Sequence, residues 1–234
     1  CALPISTKIF YTRRETMADS IRDRMVKFYA KGDQRIAVNA TQGHFATSQS
    51  HINYYIDITR MKVRISEAEE AAKLIRDKML HHVTVVDSIV CLDGTEVIGG
   101  FLAQELLKAD FQSTNKHDTM YVAQPEENSI HQFMFRENIR PVIEGKNVLV
   151  MVATMTTGET VRRSMECIEY YGGTVQGVVS IFATKSEVDG VSVYSIFDEE
   201  DFPGYSTFSQ HECPYCMRGI PIEAMVNGYG YAKL

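Results

Sequence analysis

The run VLVMVATMTTGET, from Val148 to Thr160, carries an apolar stretch into a cluster of small and hydroxyl-bearing residues: Thr154, Thr156, Thr157, Gly158, Glu159 and Thr160. A buried strand that empties into such a loop and then into a helix presents backbone N–H groups and a helix N-terminus, the combination that holds a phosphate. Threonine hydroxyls donate locally, and Gly158 lets the backbone come close to a ligand. The same residues also suit a simple loop and cap ahead of an amphipathic helix. Two other phosphate motifs are excluded, because neither GxGxxG nor Gly-Lys-Ser/Thr occurs here.

A second group lies near the end of the chain. HECPYCMRG places His211, Cys213 and Cys216 within one short turn. Cys-x-x-Cys brings two thiolates to one side of a turn, as in a zinc knuckle, and a structural Zn²⁺ is expected to take His211, Cys213 and Cys216. The fourth ligand would be Cys91, Cys167 or a residue of a second chain. CPYC also resembles the redox pair of glutaredoxins, although there the pair follows a first strand and opens a helix. A third possibility is that the thiols simply pack in the tail. Cys1, Cys91 and Cys167 stand alone and read as small buried hydrophobes.

The elements that must position these groups follow from pattern. The chain has 234 residues, and its 44% hydrophobic and 23% charged content is that of a globular α/β domain. With 24 Lys plus Arg against 30 Asp plus Glu and no basic stripe, no nucleic-acid partner is expected. No apolar run reaches spanning length and the first residues lack a full signal-peptide pattern, so no membrane association is expected. Five cysteines at irregular spacing suit a reducing, cytoplasmic setting. A helix is expected from about Glu15 to Ala30, on Met17, Ile21, Met25 and Phe28, ending at Gly32 and Asp33. A β-rich stretch, GHFATSQSHINYYIDI, precedes a helix, SEAEEAAKLIRDKM, that opens with a Ser66–Glu69 capping box. Strand VTVVDSIVCL leads through DGTE to helix VIGGFLAQELLKA. Short strands are expected at Met120–Ala123 and His131–Phe135. Strand Asn147–Val152 feeds a helix from about Glu159 to Tyr171, and strands TVQGVVSIFA and VSVYSIF follow. Repeated strand, tight loop and helix argue for a parallel sheet covered by helices, with ligands at the carboxyl ends of the strands. The loops at Gly94–Gly100 and Thr156–Gly158 would lie there. Residues 197–234, rich in Gly and Pro, read as an irregular extension that wraps the core or caps an interface.

Three stretches in order, spanning roughly residues 40–185, resemble the type I phosphoribosyltransferases, and orotate phosphoribosyltransferase most of all. VLVMVATMTTGET is similar to the phosphoribosyl-pyrophosphate signature. GHFATSQSHINYYIDI is similar to the region near the base pocket, with Phe45 and Ser48–Ser50 on family positions. IVCLDGTEVIGGFLAQEL is similar to the strand, pyrophosphate loop and helix. The resemblance implies a parallel-sheet α/β phosphoribosyltransferase-like domain over 1–196, with an N-terminal helix and hood, and an extension over 197–234 that holds the Cys-x-x-Cys turn. It implies that Thr156–Thr160 hold a 5′-phosphate and that Asp93, Gly94, Thr95 and Gly99 face pyrophosphate. Phe45 and Ser48 would lie near a base. His44 and His51 flank that segment, either to touch a ligand or as ordinary surface or hydrogen-bonded histidines, and Tyr205 and Phe208 either cover a base there or simply pack the tail. A phosphorylated ribose or nucleotide is the implied small-molecule partner, and a homodimer the implied assembly.

Two departures from the family pattern bear on activity. The signature's strand normally closes on two acidic residues that serve ribose hydroxyls and Mg²⁺; here Val152 and Ala153 stand there. The family's mobile loop carries Lys and Arg to the pyrophosphate, whereas MYVAQPEENSIHQF has neither and offers Glu126 and Glu127 instead. Mg²⁺ binding is therefore expected to be weak or lost. Arg136 and Arg140 would add charge nearby or simply pair with surface acids. Three readings follow: a protein that binds ribose phosphate or nucleotide without efficient transfer, an active transferase on orotate or another base with acids and cations supplied from elsewhere, or a structural partner whose cleft is closed.

Overall fold

The computed structural model describes residues 20–234 other than Gly32, Thr84, Asp110, His117, Asp118 and His131. Its centre is a sheet in the order Glu187–Val188 (β10), Val191–Phe197 (β11), Thr174–Ala183 (β9), Asn147–Met155 (β8), Ser88–Cys91 (β4) and Tyr121–Ala123 (β5). Every pairing is parallel except β10 with β11. A parallel strand covered by helices on both faces must be apolar on both. β8 obeys this residue by residue. Leu149, Met151 and Ala153 join one core with helices Ile65–Met79 (α2) and Glu96–Lys108 (α3), while Val148, Val150 and Val152 join another with helix Glu159–Tyr170 (α4).

The helices bury the faces that their sequences prescribe. Ala68, Ala71, Ala72, Ile75 and Met79 of α2 are fully buried, and the alanines let α3 approach closely. Val161, Met165 and Ile168 form the inner stripe of α4. The expected capping box at Ser66 and Glu69 does not form. Helix α2 begins a residue earlier, at Ile65, with no side-chain cap, so Ser66 already lies inside the first turn. Glu67 serves that end instead by pairing with Arg60 and Arg64.

A second sheet forms a hood over the carboxyl ends of the first. Its order is Thr207–Phe208 (β12), His51–Asp57 (β3), Asp33–Ala46 (β2), Ala224–Asn227 (β13) and Gly230–Lys233 (β14), with Val26–Ala30 (β1) also paired to β2. The helix expected to run to Ala30 is therefore a strand over its last five residues; Glu15–Asp19 lie outside the described residues. Ile21 and Met25 pack into the hood, whereas Phe28 packs on the central core against Phe202. Apolar residues bound for two clusters cannot form one helical stripe. The tail from residue 197 contributes three hood strands and the short helix Pro214–Met217 (α5). β13 runs parallel to β2, with Ala224 opposite Phe45. Among the described residues, no helix is long and apolar enough to cross a membrane.

Asp87, fully buried at the start of β4, ties three segments together. Its carboxylate accepts from Ser113 Oγ, from the Thr114 N–H and Oγ1, and from the Asn147 N–H and Nδ2. Burial alone would raise its pKa; the donors from Asn147 and Thr114 outweigh it and hold the group at about 2, against 3.8 ordinarily. A carboxyl whose folded pKa is depressed stabilises fully above its unfolded value and loses that contribution as pH falls toward the folded one. We expect Asp87→Asn to lower the unfolding free energy at neutral pH by about 2 kcal/mol. It should also flatten the pH dependence of stability between 3.8 and about 2. Urea titrations over that range check both.

Candidate functional site

β8 ends at Met155, and its loop reverses into α4 through Gly158, whose φ of 87° lies in the left-handed region. The outward turn is fixed from the neighbouring strand's end: Thr184 Oγ1 donates to the Thr156 carbonyl at 2.7 Å and Lys185 Nζ to the Thr157 carbonyl at 2.9 Å. Among the described residues, the N–H groups of Thr156, Thr157, Gly158 and Thr160 have no protein acceptor. A loop whose carbonyls are occupied and whose N–H groups are not, at the N-terminus of a three-turn helix, is an anion cradle. Thr154, Thr156, Thr157, Gly158, Glu159 and Thr160 all border one cavity of about 150 Å³. Glu159 is turned to Arg162, 2.9 Å away.

The hood closes the other side of this cavity. Ser48 borders it, with Thr47 and Gln49, and Tyr54, Phe182 and Tyr205 supply an aromatic wall. Tyr205 stacks near Tyr54 at 6.2 Å and meets Phe182 edge-on at 5.1 Å. Phe45 is elsewhere. It is wholly buried among Ile52, Tyr55, Ala224 and Val226, so it supports the hood and does not face the cavity. Phe208 lies in β12 beside Tyr215, also away from the cavity.

The stretch expected to face pyrophosphate divides in two. Asp93 and Gly94, both at positive φ, form the turn after β4. Thr95 is buried, its Oγ1 donating to the Leu92 carbonyl at 2.8 Å, so it pins the turn from beneath. Gly99 and Gly100 belong to α3 and not to a loop. A Cβ on Gly99 would clash with Cys91 Sγ, so the helix packs tightly on β4 there.

Asp93 borders the cavity, and its carboxylate accepts from the Ala153 N–H near the end of β8. Val152 and Ala153 themselves are 1% and 0% exposed and pack into opposite cores. Burial raises the Asp93 pKa, as do Glu127 and Glu96, while Lys62 and the Ala153 N–H pull it back. Burial likewise lowers the pKa of Lys62, with Asp93, Glu96 and Asp57 opposing. Lys62 Nζ donates to the Asp93 carbonyl at 2.7 Å and to the Gly228 carbonyl at 2.6 Å. It also lies 5.1 Å from the Tyr229 ring centre. The turn between β13 and β14 thus covers the Asp93–Gly94 loop: Gly228 sits directly on the Asp93 side chain and Tyr229 lies beside Gly94. Neither Lys62 nor this turn was foreseen, since a lone lysine and a distant Asn-Gly-Tyr carry no local signal.

Beyond this lies a wider cleft of about 720 Å³ bordered by Glu126, Glu127, Phe133 and Arg163. Glu126–Glu127 (β6) pairs with Phe133–Met134 (β7) as a short arm. Glu126 is bound by Arg136 at 2.7 Å and Glu127 faces Arg163 at 3.7 Å, while Arg140 pairs with Glu137 and Glu144. These residues do not fit a Mg²⁺–pyrophosphate complex, because the strand end supplies no carboxylate and the arm's acids are engaged by arginines.

The expected metal trio also separates. Cys213 and Cys216 come together with His44 and His51 of the hood; exposed His211 is outside that group, and so are buried Cys91 and half-buried Cys167.

No protein-family profile matches the sequence. Over 79 residues, 33% of this chain, it is 35% identical to the orotate phosphoribosyltransferase of Pelotomaculum thermopropionicum, and it spans only 40% of that protein's length. Over 186 residues, 77% of this chain and 87% of the relative, it is 26% identical to the orotate phosphoribosyltransferase of Erythrobacter litoralis. Among solved structures, Leishmania donovani UMP synthase matches with a TM-score of 0.51 at 15% identity, over 69% of this chain and 34% of that one. The chain has the type I phosphoribosyltransferase fold. The cradle at Thr156–Thr160 and the turn at Asp93–Gly94 end adjacent strands of the sheet, and Asp93 borders both the smaller cavity and the wider cleft.

Replacing Lys62 by Met would leave two buried carbonyls unpaired and Asp93 without its counter-charge. We expect a loss of about 2 kcal/mol in stability. Amide exchange at residues 226–231 should rise, while exchange in β9 should not. Equal protection of the C-terminal turn in both proteins would refute the bridging role.

Proposed function

We propose that this protein binds a ribose 5-phosphate ester of the nucleoside monophosphate class between the Thr154–Thr160 loop and the hood, without transferring phosphoribosyl groups from a pyrophosphate donor. The observation that carries the reading is the contrast between the two loops. The cradle opens into a cavity with free N–H donors, whereas at the Asp93–Gly94 turn Gly228 packs on the Asp93 side chain and Tyr229 beside Gly94, held there by Lys62, which narrows the room for a pyrophosphate while leaving Asp93 at the cavity edge.

The parts suit such a ligand. The phosphate would accept from the Thr156–Thr160 N–H groups, with α4 adding its positive end. Asp93 is placed to accept from ribose hydroxyls in the role that Val152 and Ala153 cannot fill. Tyr54, Phe182 and Tyr205 offer faces for a flat base. A pyrophosphate at C1 would instead meet the C-terminal turn and the acids Glu126 and Glu127, whose partners Arg136 and Arg163 are already engaged with them. The relatives named orotate phosphoribosyltransferase support a pyrimidine as the base to test first.

Calorimetric titration with nucleoside 5′-monophosphates, ribose 5-phosphate and phosphoribosyl pyrophosphate, each with and without Mg²⁺, tests the reading. A monophosphate should bind at least about tenfold more tightly than phosphoribosyl pyrophosphate, a gap of about 1.4 kcal/mol, and independently of Mg²⁺. A parallel assay should detect no pyrophosphate release over a panel of bases. Mg²⁺-dependent release with any base would replace this reading with that of an active transferase.

A further inference from the structure

We propose that His44, His51, Cys213 and Cys216 bind one Zn²⁺ in a tetrahedral His₂Cys₂ site that fastens the C-terminal extension to the hood. The four ligand atoms all lie within 4.8 Å of one another. His44 Nε2 is 3.1 Å from His51 Nδ1, 3.4 Å from Cys213 Sγ and 3.7 Å from Cys216 Sγ, and Cys216 Sγ is 3.3 Å from His51 Nδ1. A tetrahedral zinc with ordinary bond lengths sets its ligands about 3.3 Å apart for two nitrogens and about 3.5 Å apart for nitrogen and sulfur. The observed spacings already match that shell.

Hydrogen bonding among the four groups does not account for the arrangement. His44 Nδ1 lies 2.9 Å from the Ile220 carbonyl, which can only accept, so Nδ1 carries the proton and Nε2 presents a lone pair. With His51 Nδ1 protonated, it and both thiols compete for that one lone pair; with it unprotonated, the thiols can each donate to one ring but two nitrogen lone pairs then face each other at 3.1 Å. A cation at the centre uses all four groups at once, and the carbonyl on the far side of His44 fixes the tautomer as second-sphere partners of zinc imidazoles do. His44, His51 and Cys213 are buried, and Tyr215 stacks on His44 at 5.2 Å, closing one wall. Two thiolates with two imidazoles, and no open position, select zinc for structure over catalysis.

The site has a mechanical consequence. Its ligands come from β2, from β3 and from the turn that opens α5. Eight residues after Cys216 the chain enters β13, which pairs with β2 and carries the turn that lies on Asp93. This inference stands on the cluster alone and does not need the ligand reading above.

Metal analysis of the full chain, purified without chelator, should find one zinc per chain. Replacement by Co²⁺ should give the visible bands of a tetrahedral site and a thiolate-to-cobalt charge-transfer band. His51→Ala and Cys216→Ser should each lose the stoichiometric metal, and His211→Ala should keep it. The unaltered protein decides even if those variants fold poorly. Reduced chain that carries no zinc and yields no cobalt bands on loading, or a Cys213–Cys216 disulfide in the native protein, would overturn the site.

Discussion

Lys62 brings an ammonium into a place that water scarcely reaches, and meets there two carbonyls whose residues are separated by most of the chain, Asp93 after β4 and Gly228 between β13 and β14. Each partner makes the others tenable. The ammonium would be costly to bury without the carbonyls and the Asp93 carboxylate, and that carboxylate would be costly without the ammonium. The turn at Asp93–Gly94 sits at positive φ, a conformation that a non-glycine residue keeps only when its surroundings hold it. Through this one bridge the strand ends, the hood and the tail become a single wall of the cleft.

The parts that sequence patterning made legible are those governed by short-range periodicity. β9 and β11 fall on the expected residues, and α4 ends one residue short, because strict apolar runs and a clear inner stripe leave little choice. The cradle was legible for the same reason: strand, small residues and helix are contiguous. Val26–Ala30 was misread because residues at helical spacing were destined for separate clusters. Phe45 and Gly99 stood at motif positions, but their burial is decided by partners, Ala224 and Cys91, that the motif does not contain. The histidines beside Cys213 and Cys216 were invisible in a local window. His211 was near in sequence, whereas His44 and His51 become near only when β12 and β13 join the hood on either side.

The hood therefore depends on its late strands more than its early ones suggest. β2 and β3 alone would be a hairpin with an open edge, and β13 closes one edge while β12 closes the other. Arg24 pairs with Glu223 just before β13, adding an ion pair at the same seam. A four-ligand clamp at His44, His51, Cys213 and Cys216 lies between these two additions, so it would hold both in register together. It would also keep the Gly228 turn in reach of Lys62, and in that way the clamp and the bridge would stabilise one another.

Catalysis requires interactions that strengthen as the reaction proceeds. In phosphoribosyl transfer the charge that develops leaves on pyrophosphate, while the 5′-phosphate is the same before, during and after. A cradle that grips only the 5′-phosphate contributes equally to ground state and transition state, which yields affinity without rate. Donors at the pyrophosphate turn are what would make binding differential. Here Gly228 packs on the Asp93 side chain and Tyr229 beside Gly94, which narrows the room for such a group at that turn. On the reading proposed above, such a cleft would hold a nucleotide and gain little along the reaction coordinate, which is the physical sense in which binding and transfer would separate.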